Sequence, residues 1–376
     1  MSKIKSNITT DLPKGWMDYK FGEVVTLING RAYGKDELLS HGKYKVIRIQ
    51  NLNGGENWYY SNLELENNKY CKKGDLLFAW STTFGPYFWG KEKAIFHYHI
   101  WNLILGEKID KQFTYYYLLE ITEELKKSSH GVAMLHITKG MMEDWKFPLP
   151  PLPEQQRIVQ QLDALFLRID KAIQLTNENL AHCQHLLPAA LNKVFEEAKE
   201  KGWEIKSIEK VFKIKSGEFM SAKMMTENAA FDVYGGNGIN GKHTEHNVEG
   251  ENIIIGRVGA KCGNVRFVKG KAWITDNAFF LSEYYEKASK EYLAMVLENL
   301  ELGKTANQAA QPVISYKGIK DLLIPLPDLP TQQRIVIYLN QLSSKQQQLL
   351  QQYSKQLQQL QALKSSLLDA AFKGEL

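Results

Sequence analysis

The chain has 376 residues, 44% hydrophobic and 24% charged, and at roughly 100–200 residues per domain it divides into two or three ordinary globular domains. No apolar run approaches the ~20 residues of a membrane helix and the opening MSKIKSNITT lacks a signal-peptide apolar stretch, so no membrane partner and a cytoplasmic location are expected. Cys71, Cys183 and Cys262 show no CxxC spacing, which argues against a zinc ribbon or a disulfide scaffold, and a net charge of +5 is too mild to mark a nucleic-acid partner by itself.

In chain order, VIRIQNL (46–52) and GDLLFAW (74–80) read as strands and FTYYYLLEITEELKK (113–127) as a helix. The leader PLPPLP (148–153) is too proline-rich to be helical, but Pro153 suits a first helical turn, and a long helical pattern follows it. ENIIIGRVG (251–259) and AWITDNAFFL (272–281) then read as strands and ASKEYLAMVLENLE (288–301) as a helix. PLPDLP (325–330), with Pro330 in the place of Pro153, opens a second long helical pattern. Strands precede a helix in both halves, which predicts one mixed α/β (α+β) fold used twice.

The duplication is visible directly. PLPPLPEQQRIVQQLDAL (148–165) returns as PLPDLPTQQRIVIYLNQL (325–342) at an offset of 177, and the same offset maps LNKVF (191–195) onto LDAAF (368–372). HITKG (136–140) echoes as ISYKG (314–318), and GWMDYKFGEVVTLINGRAY (15–33) as GWEIKSIEKVFKIKSGEFM (202–220). These landmarks predict four parts: a domain over 1–147, a helical segment over 148–200, a second domain over 201–324 and a second helical segment over 325–376.

Within the helical segments, apolar positions recur three and four apart. The first stripe passes through Ile158, Leu162, Leu165, Ile169, Ala172, Thr176, Leu180, Cys183, Leu187, Leu191 and Val194. The second passes through Ile335, Leu339, Leu342, Gln346, Leu349, Tyr353, Leu357, Leu360, then Leu363 or Lys364, Leu368 and Ala371. This is a coiled-coil seam. A helix over 154–198 is roughly 65 Å long, longer than a compact domain of this size is wide, so the stripe is more than the core of one domain. Glutamine richness over 346–361 suggests low complexity, but disorder needs no seam. Pro188 predicts a kink in the first helix.

Two motifs tempt and fail. Gly236, Gly238 and Gly241 match a dinucleotide fingerprint and nearly a phosphate loop, but both need a helix to begin at the glycines, and KHTEHNVEGEN is a poor helix. Pro150-Pro151 is the only Pro-Pro pair and lies in the helix leader, so an adenine methyltransferase's base clamp is missing. The pairs His97/His99 and His243/His246 lack a third ligand at metal spacing and read as surface or polar-core histidines.

The paired PLPxLPxQQRIV blocks, the long helices they open and the terminal AFKGEL (371–376) resemble the specificity subunits of type I restriction–modification systems. GDLLFAWSTTFG (74–85), YGGNGINGK (234–242) and IIIGRVGAKCGNV (253–265) are similar to that family's target-recognition domains. The resemblance covers essentially the whole chain. It implies two target-recognition domains, each reading half of a split double-stranded DNA site, separated by two long antiparallel coiled-coil helices with pseudo-two-fold symmetry. It implies docking of two methyltransferase subunits and, where restriction is active, two restriction/translocase subunits. No catalytic residue, metal or cofactor is implied on this chain; S-adenosylmethionine and ATP with magnesium belong to the partners. The helices Leu162, Leu165, Ile169 and Leu339, Leu342, Leu349 hold together would set the distance between half-sites.

The charge balance is +3 over 1–147 and +2 over 201–324, and only seven of 47 basic residues are arginine. Arginine presents a planar fork suited to guanine, and glutamine pairs with adenine. Period two over VIRIQN places Arg48 and Gln50 on one strand face, with Asn51 following. Ser81, Thr82 and Thr83 follow a strand and suit phosphate, with Lys91 and Lys93 nearby. In the second domain Arg257, Lys261 and Arg266 flank the GAKCGN turn. Asn237, Lys242 and His243 sit on the glycine loop, and Asn307, Gln308 and Gln311 on the loop before the second long helix. A stand-alone DNA methyltransferase or nuclease with fused recognition domains is the enzymatic alternative, and it lacks an acidic or cofactor constellation. A coiled-coil scaffold without DNA function leaves the two globules unexplained.

Overall fold

The computed structural model describes residues 12–81, 83–128, 137–307 and 311–376. Its contacts divide the chain into two compact units, Met1–Thr176 with Gln356–Leu376, and Asn177–Lys355. The first globule runs β1 (Met17–Lys20), α1 (Phe21–Val24), β2 (Val25–Asn29), β3 (Tyr44–Ile47), α2 (Ile49–Leu52), β4 (Tyr59–Ser61), β5 (Tyr70–Cys71), β6 (Leu76–Ala79), β7 (Gly85–Phe88), β8 (Ala94–Phe96), β9 (Ile100–Leu105), α3 (Lys111–Ser128), α4 (Lys139–Glu143) and β10 (Lys146–Leu149), and leads into α5 (Leu152–Glu200). The second runs β11 (Glu204–Ser207), α6 (Ile208–Val211), β12 (Phe212–Ser216), β13 (Phe231–Gly235), β14 (Gly238–His243), β15 (Glu251–Gly256), β16 (Val265–Lys269), β17 (Ala272–Ile274), β18 (Ala278–Tyr284), α7 (Lys290–Asn299), α8 (Tyr316–Ile319) and β19 (Leu323–Leu326), and leads into α9 (Leu329–Lys373). Among the described residues no helix is long and apolar enough to cross a membrane.

The two globules share one wiring. A four-stranded sheet is ordered β2-β9-β6-β7 in the first and β12-β18-β15-β16 in the second. A smaller sheet is ordered β4-β3-β8-β5 in the first and β14-β13-β17 in the second, where an isolated Val248–Ala272 bridge stands in for the β5–β8 pairing of Cys71 and Ala94. Each globule is closed by an antiparallel ribbon, β1 with β10 and β11 with β19.

Two strand expectations are corrected. VIRIQNL is not one strand: β3 stops at Ile47, because the Asn51 side chain accepts the Arg48 N–H at 3.0 Å and folds the chain into α2. AWITDNAFFL is two strands, β17 and β18, separated by a tight turn in which the Ala278 N–H bonds the Thr275 carbonyl at 3.0 Å.

In the first unit, Phe21, Phe78, Trp101, Phe113, Tyr117 and Phe147 form a core with Ile158, Leu162 and Phe166 of α5 and Leu368, Ala371 and Phe372 of α9. The terminal AFKGEL is therefore partly core: Phe372 is 5% exposed, with Phe113 and Tyr117 ring centroids at 5.1 and 5.4 Å. Burying one such phenylalanine contributes about 1.5–3 kcal/mol. In the second unit the core gathers Ile208, Phe212, Ile253, Ile255, Tyr292, Leu293 and Leu297 with Val336 of α9.

Within the first unit, Arg157 donates to the main-chain oxygen of Leu376 at 2.6 Å and Lys364 bonds Asp170 at 2.8 Å. Partners on α9 and the residues just after it descend in number as α5 ascends, so the helix segments are antiparallel. Within the second unit, Gln346 donates to the Cys183 carbonyl at 2.6 Å. Leu162, Ile169 and Leu339 are buried, and Leu165, Leu342 and Leu349 half-buried. Lys364 rather than Leu363 occupies the seam, its ammonium 4.7 Å from the Phe166 ring centroid. The α-helix continues through Pro188.

Candidate DNA interface

In each globule the strand ends converge on a glycine that only a bare backbone can satisfy. A Cβ on Gly30 would stand 2.3 Å from the carbonyl oxygens of Phe96 and His97, and one on Gly217 would stand 2.3 Å from that of Ile274. Around this crossing the backbone hydrogen bonds match one for one. Gly30 N–H bonds Ile100 O and Gly217 N–H bonds Ala278 O, both at 3.1 Å. His97 N–H bonds Ile47 O and Thr275 N–H bonds Tyr234 O, both at 2.9 Å. Trp80 N–H bonds His99 O at 3.1 Å and Arg257 N–H bonds Asn277 O at 3.0 Å.

One frame thus presents two sets of side chains: Trp80 against Arg257, and His97-Tyr98-His99 against Thr275-Asp276-Asn277. Sequence reasoning missed Trp80, the 97–99 turn and Asn277. Their signal was the GR/GE pair closing the first repeat echo, which aligns Gly30 with Gly217. His97 and His99 belong to the turn between β8 and β9, with ring centroids 5.0 Å apart and Trp80 5.1 Å from His99. Burial first, then the neighbouring His99 and Arg48, pushes the His97 pKa down to about 4, so it is neutral at physiological pH.

The first globule redistributes its predicted site residues. Arg48 caps α2 with its guanidinium 5.3 Å from the Tyr59 ring centroid, and it shares no strand face with Gln50, which sits in α2 and donates to the Asn57 carbonyl at 3.2 Å. Asn51 is buried: its amide donates to the Gly55 and Asn57 carbonyls and its oxygen holds Arg48 N–H, so it shapes the turn and is not exposed to a ligand. Ser81 is buried at 2% exposure, which removes it from the surface, while Thr83 is exposed. Lys91 lies over Trp58 at 4.7 Å and Lys93 over Tyr70 at 3.9 Å. Thr82 lies outside the described residues.

In the second globule the glycine motif is a β-hairpin of β13 and β14, so no helix N-terminus meets the glycines. Asn237 stands exposed at its turn. Arg266 braces that turn, donating to the Asn237 carbonyl and the Asn264 side chain, each at 2.9 Å. Lys242 pairs with Asp232 at 2.8 Å, and His243 sits against the Met224 carbonyl and the Trp273 ring. Lys261 is exposed. Arg257 is half-buried beside Phe279, its guanidinium 5.2 Å from the ring centroid, and its buried Nε has no hydrogen-bond partner. Asn307 holds the Val313 N–H at 2.9 Å, Gln311 is exposed, and Gln308 lies outside the described residues.

The structure therefore brings Asn237 and Gln311 together with Asn240 and Asn277 at one cleft of the second globule, and Arg257 adjoins it through its N–H bond to the Asn277 carbonyl; in the first globule Lys91 and Lys93 lie over aromatic rings. Donors, acceptors and ring faces dominate both regions, and among the described residues no group of three His, Cys, Asp or Glu could hold a metal.

Residues 13–180 and 200–359 match the family model described as "Type I restriction modification DNA specificity domain". The chain is 21% identical to the type I restriction enzyme EcoBI specificity subunit of Escherichia coli, over 96% of this chain and 86% of that one. It is 24% identical to the MjaVIII specificity subunit of Methanocaldococcus jannaschii, over 97% and 94%. In fold it resembles a chain solved in work on complex assembly and conformational transition of the type I R-M system, with a TM-score of 0.80 and 21% identity over 98% of this chain and all of the other. The HsdS subunit from Thermoanaerobacter tengcongensis gives a TM-score of 0.58 at 21% identity, over 97% and 98%.

Proposed function

The chain belongs to the type I restriction modification DNA specificity family, as a recognition rather than a catalytic subunit, and from this we propose that it reads a two-part, asymmetric DNA site. The observation that carries the proposal is the shared backbone crossing at Gly30 and Gly217 with divergent side chains around it. An identical frame serves an identical task, presentation of groups to a duplex. Different groups, Trp80 or Arg257 and His99 or Asn277, meet different bases.

In this reading residues 1–147 and 201–324 are the recognition domains, and 148–200 and 325–376 are the helical spacers whose paired length sets the gap between half-sites. Two methyltransferase subunits dock on the repeated parts, and restriction/translocase subunits join them where restriction is active. The partners supply S-adenosylmethionine and ATP with magnesium, and the complex works on DNA in the cytoplasm. Arg48, Gln50, Thr83, Lys91, Lys93, Asn237, Lys242, His243, Arg257, Lys261 and Gln311 supply base and phosphate contacts.

The test is methylation mapping. The chain with its methyltransferase partner should methylate a gapped two-part site, and the purified chain alone should transfer no methyl group. Methylation by a preparation free of any methyltransferase, or an ungapped site, would overturn the reading.

A further inference from the structure

We propose that the carboxamide-lined cleft of the second unit reads an adenine in duplex DNA through the N6 and N7 groups of that base. This rests on the recognition role proposed above. The cleft, of about 200 Å³, is floored by Gly236, Val258 and Gly259 and rimmed by Asn237, Asn240, Asn277 and Gln311. All four rim residues are exposed.

Four carboxamides around one small cleft make a chemical statement. Each side chain carries an acceptor oxygen beside a donor NH2. In the major groove adenine alone offers the complement, the N6 donor beside the N7 acceptor; guanine offers two acceptors, and cytosine and thymine one polar group each. The floor is packed backbone to backbone at Gly236: a Cβ there would stand 2.3 Å from the Val258 carbonyl oxygen, so this position admits no side chain.

The main chain anchors the rim and leaves its amides to a ligand. Asn277 receives the Arg257 N–H on its carbonyl at 3.0 Å and gives its own N–H to the Thr275 hydroxyl at 3.3 Å. The Asn237 carbonyl is held by Arg266, whose guanidinium is thereby engaged in bracing the hairpin. In the first unit His99 and Trp80 stand where Asn277 and Arg257 do, so this carboxamide contact belongs to the second unit alone.

The experiment offers the full chain, alone and with its methyltransferase partner, a duplex library randomised across the site, sequences the bound DNA and then replaces the selected adenine by 7-deazaadenine. The wild type should select an adenine in the half-site that the second unit reads and lose roughly tenfold or more when that adenine is 7-deaza. Asn277→Ala should relax that position and cancel the 7-deaza penalty, with thermal melting unchanged, and Gln311→Ala should act in the same direction. A 7-deaza duplex bound as well as the natural one, an unchanged preference in both variants, or a loss equal on every sequence would overturn the inference while leaving the recognition role. Enrichment of no duplex by the wild type would overturn both.

Discussion

The buried side chain of Gln155 accepts the Asp110 N–H at 2.7 Å and donates to the carbonyls of Lys108 and Pro150 at 3.1 and 2.8 Å. Its repeat partner Gln332 accepts the Ser289 N–H at 2.8 Å and donates to the Pro327 carbonyl at 2.8 Å. Asp110 and Ser289 cap α3 and α7, since the Phe113 N–H bonds the Asp110 carboxylate and the Tyr292 N–H bonds the Ser289 hydroxyl. The first glutamine of each QQRIV block is therefore an internal fastener between a globule and its long helix, a role distinct from partner docking.

Gln155→Ala orphans three backbone groups and Gln332→Ala two. At about 1–3 kcal/mol for a buried unsatisfied group, both should destabilise and the first more. Urea unfolding would show this, with the exposed Gln156→Ala and Gln333→Ala as near-neutral controls. Equal melting of all four variants would remove the fastener role.

Arg48→Ala and Arg257→Ala should alter opposite half-sites. Loss of a base contact should cost about 1–3 kcal/mol and relax one position, as read by methylation mapping or competition binding. Uniform weakening on every sequence would make these arginines phosphate contacts.

His97 gives the first unit an acid liability. Its folded pKa of about 4 lies below the ~6.5 of an unfolded chain, so between these values the unfolded state binds more protons. The contribution is intact above pH ~6.5 and is lost as pH falls toward 4. In unfolding measured at pH 7 and pH 4.5, His97→Gln should lose less stability on acidification than the wild type. Parallel losses would refute the assignment.

Glu120 has the opposite sign. Burial first, then the nearby Asp369, raises its carboxyl pKa to about 7. Its contribution is present below the ordinary carboxylate range and lost as pH rises through 7. Glu120→Gln should therefore stabilise the protein relative to wild type at pH 8 and leave it nearly unchanged at pH 4. A stability difference independent of pH would contradict this.

The spacer role predicts a change of gap. Cys183 faces Gln346, so four residues inserted after Leu180 and four after Leu349 lengthen opposed helix segments together. Four residues roughly restore the facing stripe and add about 6 Å, near two base pairs at about 3.4 Å each. Methylation mapping should find the half-site sequences unchanged and the gap longer by one or two base pairs. An unchanged gap at full activity would show that these helices do not set it.

The helices, their seam and the duplication were legible because period and repeat are properties of order along the chain. Ile158, Leu162 and Leu339 point inward for the reason their spacing states. The base-facing candidates were legible only in part. Arg48 and Gln50 alternate like strand residues, yet one Asn51 side chain bends the backbone after Ile47, a choice made by a local hydrogen bond that period-two counting does not see.

Sequence by itself determined that one fold is used twice, that long helices follow each globule and that the chain belongs among recognition proteins, since periodicity, offset and motif survive without coordinates. Tertiary structure decided which polar residues are available. Asn51 and Ser81 are buried and Arg266 is spent on Asn237, while His99 reaches Trp80 and Asn277 reaches Arg257 through backbone pairing between segments apart in the sequence. Availability depends on whether neighbouring strands already satisfy a group's hydrogen bonds, and those neighbours are set by folding, not by adjacency in the chain.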